Sequence, residues 1–476
     1  MTLFVPEGGF PIGNEIVIKY PTFDKFIHSR KKERVKIDDL LAGMDTTMKE
    51  EIPADTFIRH NNKIGTELGA PSDTSTGTVD ASRLQRIEFG PQGPTVLHSI
   101  FQKLGEASAA KKNVRILHYG DSQIEGDRIT GYFRQRLQAK FGGNGPGMIA
   151  AFNQYHTMSF VQTVSPNFKR HTVFGEVSKE ITHKKYGSMG TFARFTKYVP
   201  DSLLSTLEST EGWIEIGMHK QAYGNSKKFN RVRLFYGNCR SRVEMIVSNN
   251  GQVIHEDTLI PDGNYHVVEL LFENTPEQLR YTFKGKDSPD FYGFSLDGNY
   301  GVTIDNVAMR GGSGTFLGKC DGNLMSRMYS DLGVEMFIMQ FGGNTMPYLK
   351  DAAASKQYAN YFQSNLNTLK RLRPGASIIV IGPSDMSTKV DGEYMSYPLL
   401  GTLIADMKQA AFNAGAGYWD IYSAMGGENS MLTWVEKGLA GEDYTHFSPS
   451  GTRIIAEKFW EAFLYEYQQY QKGVQP

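Results

Sequence analysis

At 476 residues, with 51 lysines and arginines against 51 aspartates and glutamates, the chain has no formal net charge before any histidine contribution, which argues against nucleic acid as its main partner. A hydrophobic share of 40% supplies cores for two or three domains at roughly 150 residues each and excludes a wholly disordered chain. The longest apolar runs, such as ASIIVIG at 376–382, fall short of the roughly 18–20 residues of a membrane-spanning helix, so a soluble chain without a transmembrane segment is expected.

Residues 1–95 mix charges, as in HSRKKERVK at 28–36, and carry a polar Ser/Thr/Asp/Gly stretch at 70–82, so they read as an N-terminal extension and linker. The opening MTLFVPEGGF lacks both a basic n-region and an apolar core, so no signal peptide is visible. From Asn113, NVRILHYG reads as a short strand ending in glycine. Ile129, Phe133, Leu137 and Phe141 then recur at four-residue spacing on one helix face, which Gly142-Gly143 stops.

Between 151 and 305 the texture becomes β-rich. WIEIGM, RVRLFYG, RVEMIVSN, LRYTFKG and HVVELLF alternate with Asn-Asn-Gly and Pro-Asp-Gly turns, which predicts an all-β sandwich. Trp213, Tyr236, Phe291 and Tyr292 there offer rings for sugar stacking, although aromatics in such runs more often fill the core. After 305, VEMFIMQF and ASIIVIG alternate with helical segments around 358–371, 399–413 and 452–467, the last with Ile455, Phe459 and Phe463 in a stripe. Strand and helix in alternation predict a doubly wound parallel sheet, an α/β/α flavodoxin-like domain. The economical assembly makes that domain from 96–150 and 306–476, interrupted by an inserted sandwich at 151–305. Cys239 and Cys320 lie far apart and form no Cys-x-x-Cys, so two separate buried thiols are expected, with a single bridge left open.

The strand NVRILHY runs into Gly120-Asp121-Ser122-Gln123, which places Ser122 at the carboxyl end of a buried strand, where open α/β sheets bind ligands. Alone, a serine there is as well read as a helix cap. A serine nucleophile needs a base, and Asp443-Tyr444-Thr445-His446 offers one, His446 being the only one of the 11 histidines beyond residue 266. Three residues apart in a turn, Asp443 can hold one ring nitrogen while the other faces a hydroxyl. Acyl transfer also needs donors for an oxyanion. Arg310-Gly311-Gly312-Ser313-Gly314 and Phe341-Gly342-Gly343-Asn344 follow predicted strands and bring backbone and side-chain amides to the same sheet edge. Asp385 in IGPSD sits at another strand end; a turn cap is its commoner role, and orienting the histidine in place of Asp443 is the alternative. No Gly-x-x-x-x-Gly-Lys-Ser/Thr, dinucleotide loop or His-Glu-x-x-His occurs, so neither a cofactor nor a metal is implied.

The four segments in this order resemble the SGNH (GDSL-like) hydrolase superfamily. The resemblance implies Ser122 as nucleophile, His446 as base and Asp443 as its orienter, with Gly311 or Gly312, Asn344 and the Ser122 amide forming an oxyanion hole. Gln123 stands where the family usually has Leu, and Thr345 where it often has Asp. GDSQIEGDR, the β-rich insertion, and Trp419-Asp420 followed by Ala424-Met425-Gly426-Gly427 resemble the peptidoglycan O-acetylesterase branch, which carries a carbohydrate-binding-module-like sandwich. That implies a serine esterase acting on an acetylated polysaccharide, peptidoglycan first, outside the cytoplasm in the periplasm or at the cell surface. Its rivals are an acetyltransferase using the same residues, an esterase for another glycan such as xylan, and a wall-binding protein with an idle hydrolase domain.

Overall fold

The computed structural model describes residues 83–474, together with the backbone of two short paired strands, Phe10–Ile12 and Ile16–Ile18. The rest of the expected N-terminal extension lies outside the described residues.

Five parallel strands form the centre: β2 (Asn113–Gly120), β3 (Gly301–Ala308), β4 (Val334–Gln340), β5 (Ser377–Ile381) and β6 (Gly417–Trp419), joined at one edge by the antiparallel β1 (Ile87–Glu88). The order β3-β2-β4-β5-β6-β1 puts the first parallel strand between the second and third, the flavodoxin-like arrangement, with its switch point between β2 and β4. Strands buried on both faces need apolar residues in succession, and β5, Ser-Ile-Ile-Val-Ile, is buried throughout. Its side chains alternate between two cores: Ile378 and Val380 join one, Ile379 and Ile381 the other.

The first core is closed by α3 (Gly322–Leu332), α4 (Ala352–Leu372) and α5 (Leu400–Asn413), the second by α1 (His98–Glu106), α2 (Arg128–Phe141) and α6 (Pro449–Val474). The predicted stripes Ile129-Phe133-Leu137 and Ile455-Phe459-Phe463 meet here, with the Phe133 and Phe459 rings 4.8 Å apart. Truncating Phe133 to alanine would cost about 3–5 kcal/mol.

Residues 147–297 build two antiparallel sheets. One runs His266–Leu271, Arg231–Gly237, Asp290–Asp297, Thr191–Arg194, Lys169–Thr172, with Gly147–Ile149 beside Asp290–Asp297; the other runs Gln252–Leu259, Val243–Asn249, Gln278–Gly285, Thr210–Met218, Phe160–Val164. They face each other across Phe283 on Phe291 (4.3 Å) and Tyr281 on Phe294 (4.9 Å). The outer face of the first sheet is also covered, because Phe235 and Tyr292 pack into the core under α3. A buried ionic seam joins the two parts: Arg115 of β2 reaches Asp297 at 2.6 Å and Asp305 of β3 at 2.5 Å, and Arg233 reaches Asp297 at 3.2 Å.

Three sequence boundaries shift. Residues before 96 are not all linker, since Ile87 and Glu88 extend the central sheet, Gln85 O accepts the Trp419 indole N–H at 3.0 Å and Arg86 pairs with Glu466 at 2.9 Å. The break at 150 falls after Gly147–Ile149 has joined an antiparallel sheet, and the break at 305 cuts β3. The three residues of Gly147–Ile149 are too few to show a period. Tyr236, Phe291 and Tyr292 are buried in the cores, and the half-buried Trp213 lies under the Arg280 guanidinium at 4.1 Å, so none of the four presents a bare ring. Cys239 and Cys320 are free, buried thiols.

Candidate active site

β2 ends at Gly120, where a β-carbon would press into the Ile124 side chain at 2.8 Å, and the chain turns at once. Asp121 caps the turn by accepting the Gln123 N–H at 2.9 Å, which leaves Ser122 at the start of a single 3₁₀ turn above the switch point. The other half of the site comes from the far end of the chain. Ser448 accepts the Gly451 N–H at 3.2 Å and Pro449 opens α6, so the loop carrying Asp443 and His446 is anchored where the helix begins.

The two halves meet. Ser122 Oγ lies 2.8 Å from His446 Nε2, and His446 Nδ1 lies 2.7 Å from Asp443 Oδ2. The carboxylate partner assigns the ring proton to Nδ1, which makes Nε2 the acceptor for the serine hydroxyl. Asp443 Oδ1 also accepts the Thr445 and His446 backbone N–H groups, both at 3.0 Å. Partial burial pushes the Asp443 carboxyl up, but the hydrogen bonds from the His446 ring and amide outweigh it and hold the pKa below the usual carboxylate value. Asp121, buried beside the nucleophile, goes the other way: desolvation raises it to about 6 against the opposing pull of the Gln123 N–H and His446.

Asn344 stands on the turn after β4 and lines the same cleft of about 230 Å³ as Ser122 and His446. Its Nδ2 donates to Gly312 O at 3.2 Å, which leaves the second amide hydrogen uncommitted. That bond holds the loop after β3 against the site, although neither Gly311 nor Gly312 lines the cleft itself. The Gly312 N–H is spent on Met309 O at 2.7 Å, whereas Gly311, at φ +75°, is exposed with open space around it. Asp385 takes no part in this relay: it neither lines the cleft nor bonds to His446. It is fully buried, accepting from Ser396 Oγ at 2.5 Å and the Met431 N–H at 2.7 Å, a structural carboxylate that burial pushes upward in pKa.

The roles of three residues escaped the sequence reading. Gln123 Nε2 donates to Thr445 O at 2.7 Å, tying the nucleophile turn to the histidine loop, and Arg128 does the same through Phe447 O (3.2 Å) and Ser122 O (3.4 Å). Their partners in that loop lie more than 300 positions away, so no local pattern announces them. Tyr348, four residues past Asn344, stands 80% exposed on the rim of the cleft.

No protein-family model and no curated protein sequence matches this chain. Among solved structures, a peptidoglycan O-acetylesterase aligns over 79% of this chain and 96% of its own, with a TM-score of 0.61 and 20% identity. The chain therefore has that fold. A family two carbohydrate esterase from Clostridium thermocellum, solved with cellohexaose, aligns over 56% of this chain and 94% of its own at 10% identity. An acetyl xylan esterase from Butyrivibrio proteoclasticus aligns over 65% and 99% at 9%. At TM-scores of 0.23 and 0.24 these two carry no argument. Among the described residues no helix is long and apolar enough to cross a membrane.

Proposed function

We propose that this chain is a serine esterase that removes O-acetyl groups from a carbohydrate, with peptidoglycan as the polymer and a site of action outside the cytoplasm. The observation that carries the reading is the unbroken relay from Ser122 Oγ through His446 to Asp443, at 2.8 and 2.7 Å, over a switch-point cleft. The fold shared with a peptidoglycan O-acetylesterase supports the choice of polymer. In the first step His446 Nε2 takes the Ser122 proton as Oγ attacks the acetyl carbonyl, and Asp443 stabilises the imidazolium. The oxyanion is held by the Ser122 N–H and the free hydrogen of Asn344 Nδ2; of the two glycines only Gly311 keeps an unengaged amide, and it would have to move into the cleft to act as a third donor. The tetrahedral species collapses, the sugar oxygen leaves with the proton from His446, and water attacks the acetyl-serine in the mirror sequence. The exposed Tyr348 ring offers the stacking surface for a sugar that the buried aromatics of the two antiparallel sheets do not.

Acetate release from O-acetylated peptidoglycan, run beside acetylated xylan, tests the reading. Peptidoglycan is expected to be the faster substrate, with free acetate as product in the absence of any sugar acceptor. Faster release from xylan would replace the polymer, acetate appearing only on another sugar would make the protein a transferase, and no acetyl release from any ester would leave it a binding protein.

A further inference from the structure

Behind the nucleophile turn lies a second cavity of about 50 Å³, walled on one side by Glu125 and Asn306 and on the other by Asn153, Gln154, Tyr155 and Arg170. The stretch 151–158 is locked to the turn by the Met158 N–H donating to Gly126 O at 3.1 Å, so the cavity belongs to the same rigid unit as Ser122. Its charged groups are unequally matched. Asp127 is paired with Arg134 at 2.6 Å, and Glu125 Oε2 stands 3.9 Å from the Arg310 Nε, whose guanidinium lies over the Tyr155 ring. Arg170 has no carboxylate partner among the described residues. Its Nη1 donates to Gln154 Oε1 at 3.2 Å, its guanidinium lies 5.5 Å from the Phe174 ring centre, and its buried Nε has no acceptor at all. Glu125 Oε1 is likewise buried without a donor.

Arg170 is half-buried, with its bond to Gln154 at the surface and its Nε shielded from water; a guanidinium nitrogen so shielded is ordinarily matched by a carboxylate or phosphate, because desolvating it unpaired is costly. From this unmatched cation beside the catalytic turn we infer that the cavity is a subsite for a carboxylate carried by the acetylated glycan, with Arg170 as its anchor and Glu125 Oε1 accepting a neighbouring hydroxyl or amide hydrogen. The space takes a planar carboxylate, which the guanidinium fork meets with two parallel hydrogen bonds. The inference rests on the esterase reading and sharpens it: the substrate is an acidic glycan, and neutral acetylated xylan lacks the group the cavity takes.

The test compares O-acetylated peptidoglycan fragments with free carboxylates against the same fragments after carbodiimide conversion of those carboxylates to amides. The unaltered protein should favour the free acids by about ten- to a hundredfold in kcat/KM, the range of a charge-assisted hydrogen bond. Arg170→Ala should lose that factor on the acids, show no preference between the two probes and hydrolyse 4-nitrophenyl acetate at the original rate; Arg170→Lys should recover part of the preference. Affinity of the Ser122→Ala variant for the two probes reads the same preference without turnover, so a failed esterase reading and a failed subsite stay distinct. Equal affinity for acid and amide, or a preference that survives Arg170→Ala, overturns the inference.

Discussion

The two halves of the proposed catalytic relay are held by different means. Ser122 is only 9% exposed on a turn that continues a strand buried from Val114 onward, while the side chains of His446 and Asp443 are 31% and 44% exposed on a loop. The same contrast sorts the carboxyl groups. Buried Asp121 is pushed up to about 6, and the more open Asp443, with three donors on its oxygens, is held down. Ser122 is thus positioned by core packing, and His446 by hydrogen bonds and ring contacts at the surface. Substitutions should separate these two kinds of support.

The largest effect falls on the rigid half. Ser122→Ala should lower turnover of a small acetyl ester by on the order of a millionfold, as loss of a relay nucleophile does. Its melting temperature should hardly move, because one hydroxyl at a strand end is removed from a turn already fixed by Asp121. Residual turnover of more than a few per cent would dismiss the relay. Next, Asp443→Asn should cost about a hundred- to ten-thousandfold in kcat/KM, since it removes the charge that stabilises the imidazolium and leaves Nδ1 facing an amide. The solvent around Asp443 softens the loss relative to a buried orienter. Asp385→Asn should instead show as lost stability with kcat/KM nearly intact, because Asp385 caps a buried turn.

The sheet and both of its helical layers are legible in the sequence because their signals are long and periodic: VEMFIMQ and SIIVI as unbroken apolar strands, Phe133 and Phe459 at helical spacing. The residues of the relay are legible as residue types at strand ends. What escapes is whatever depends on distant partners. Two-residue β1 carries no period, and its place at the sheet edge is decided by Trp419 and Glu466. The polar seam of Arg115, Asp297 and Asp305 looks, residue by residue, like ordinary strand polarity. Gln123 and Arg128 gain their roles only when the loop before α6 arrives beside them.

A smaller effect concerns stability against pH. The Asp121 carboxyl has a folded-state pKa of about 6, above its unfolded value of 3.8. Below about pH 4 both states are protonated and it contributes nothing. As pH rises from about 4 to about 6 the unfolded carboxyl ionises while the folded, desolvated one keeps its proton, so stability falls across that window and the full cost stands above about 6. A difference of that size between the folded and unfolded carboxyl corresponds to about 3 kcal/mol at most. Asp121→Asn keeps an acceptor for the Gln123 N–H and removes the charge, so urea midpoints of the variant should exceed the unaltered protein's at pH 8 and converge with them at pH 4. Parallel midpoints across that range would show that burial does not penalise this carboxylate.

The smallest expected effect probes how the exposed half is held. Tyr444, between Asp443 and His446, sits at φ +54°, a left-handed conformation that costs a non-glycine residue roughly 1 kcal/mol. Two contacts from the hairpin of Ser387–Val390 and Glu393–Ser396 oppose that cost: the Ser387 N–H donates to Tyr444 O at 3.0 Å, and the Tyr394 ring stacks on Tyr444 with centroids 4.0 Å apart. An aromatic pair is worth about 0.5–1.5 kcal/mol. Removing it frees the loop to sample geometries in which His446 Nε2 no longer faces Ser122. Tyr394→Ala should therefore lower kcat by about three- to tenfold with KM nearly unchanged, since Tyr394 lies outside the cleft lining. Tyr394→Phe, which keeps the ring, should restore it. The global melting temperature should shift little, because Tyr394 is 37% exposed and belongs to neither core. A Tyr394→Ala variant with unaltered kcat would mean that the hydrogen bonds from Gln123, Arg128 and Ser387 alone hold the base in register.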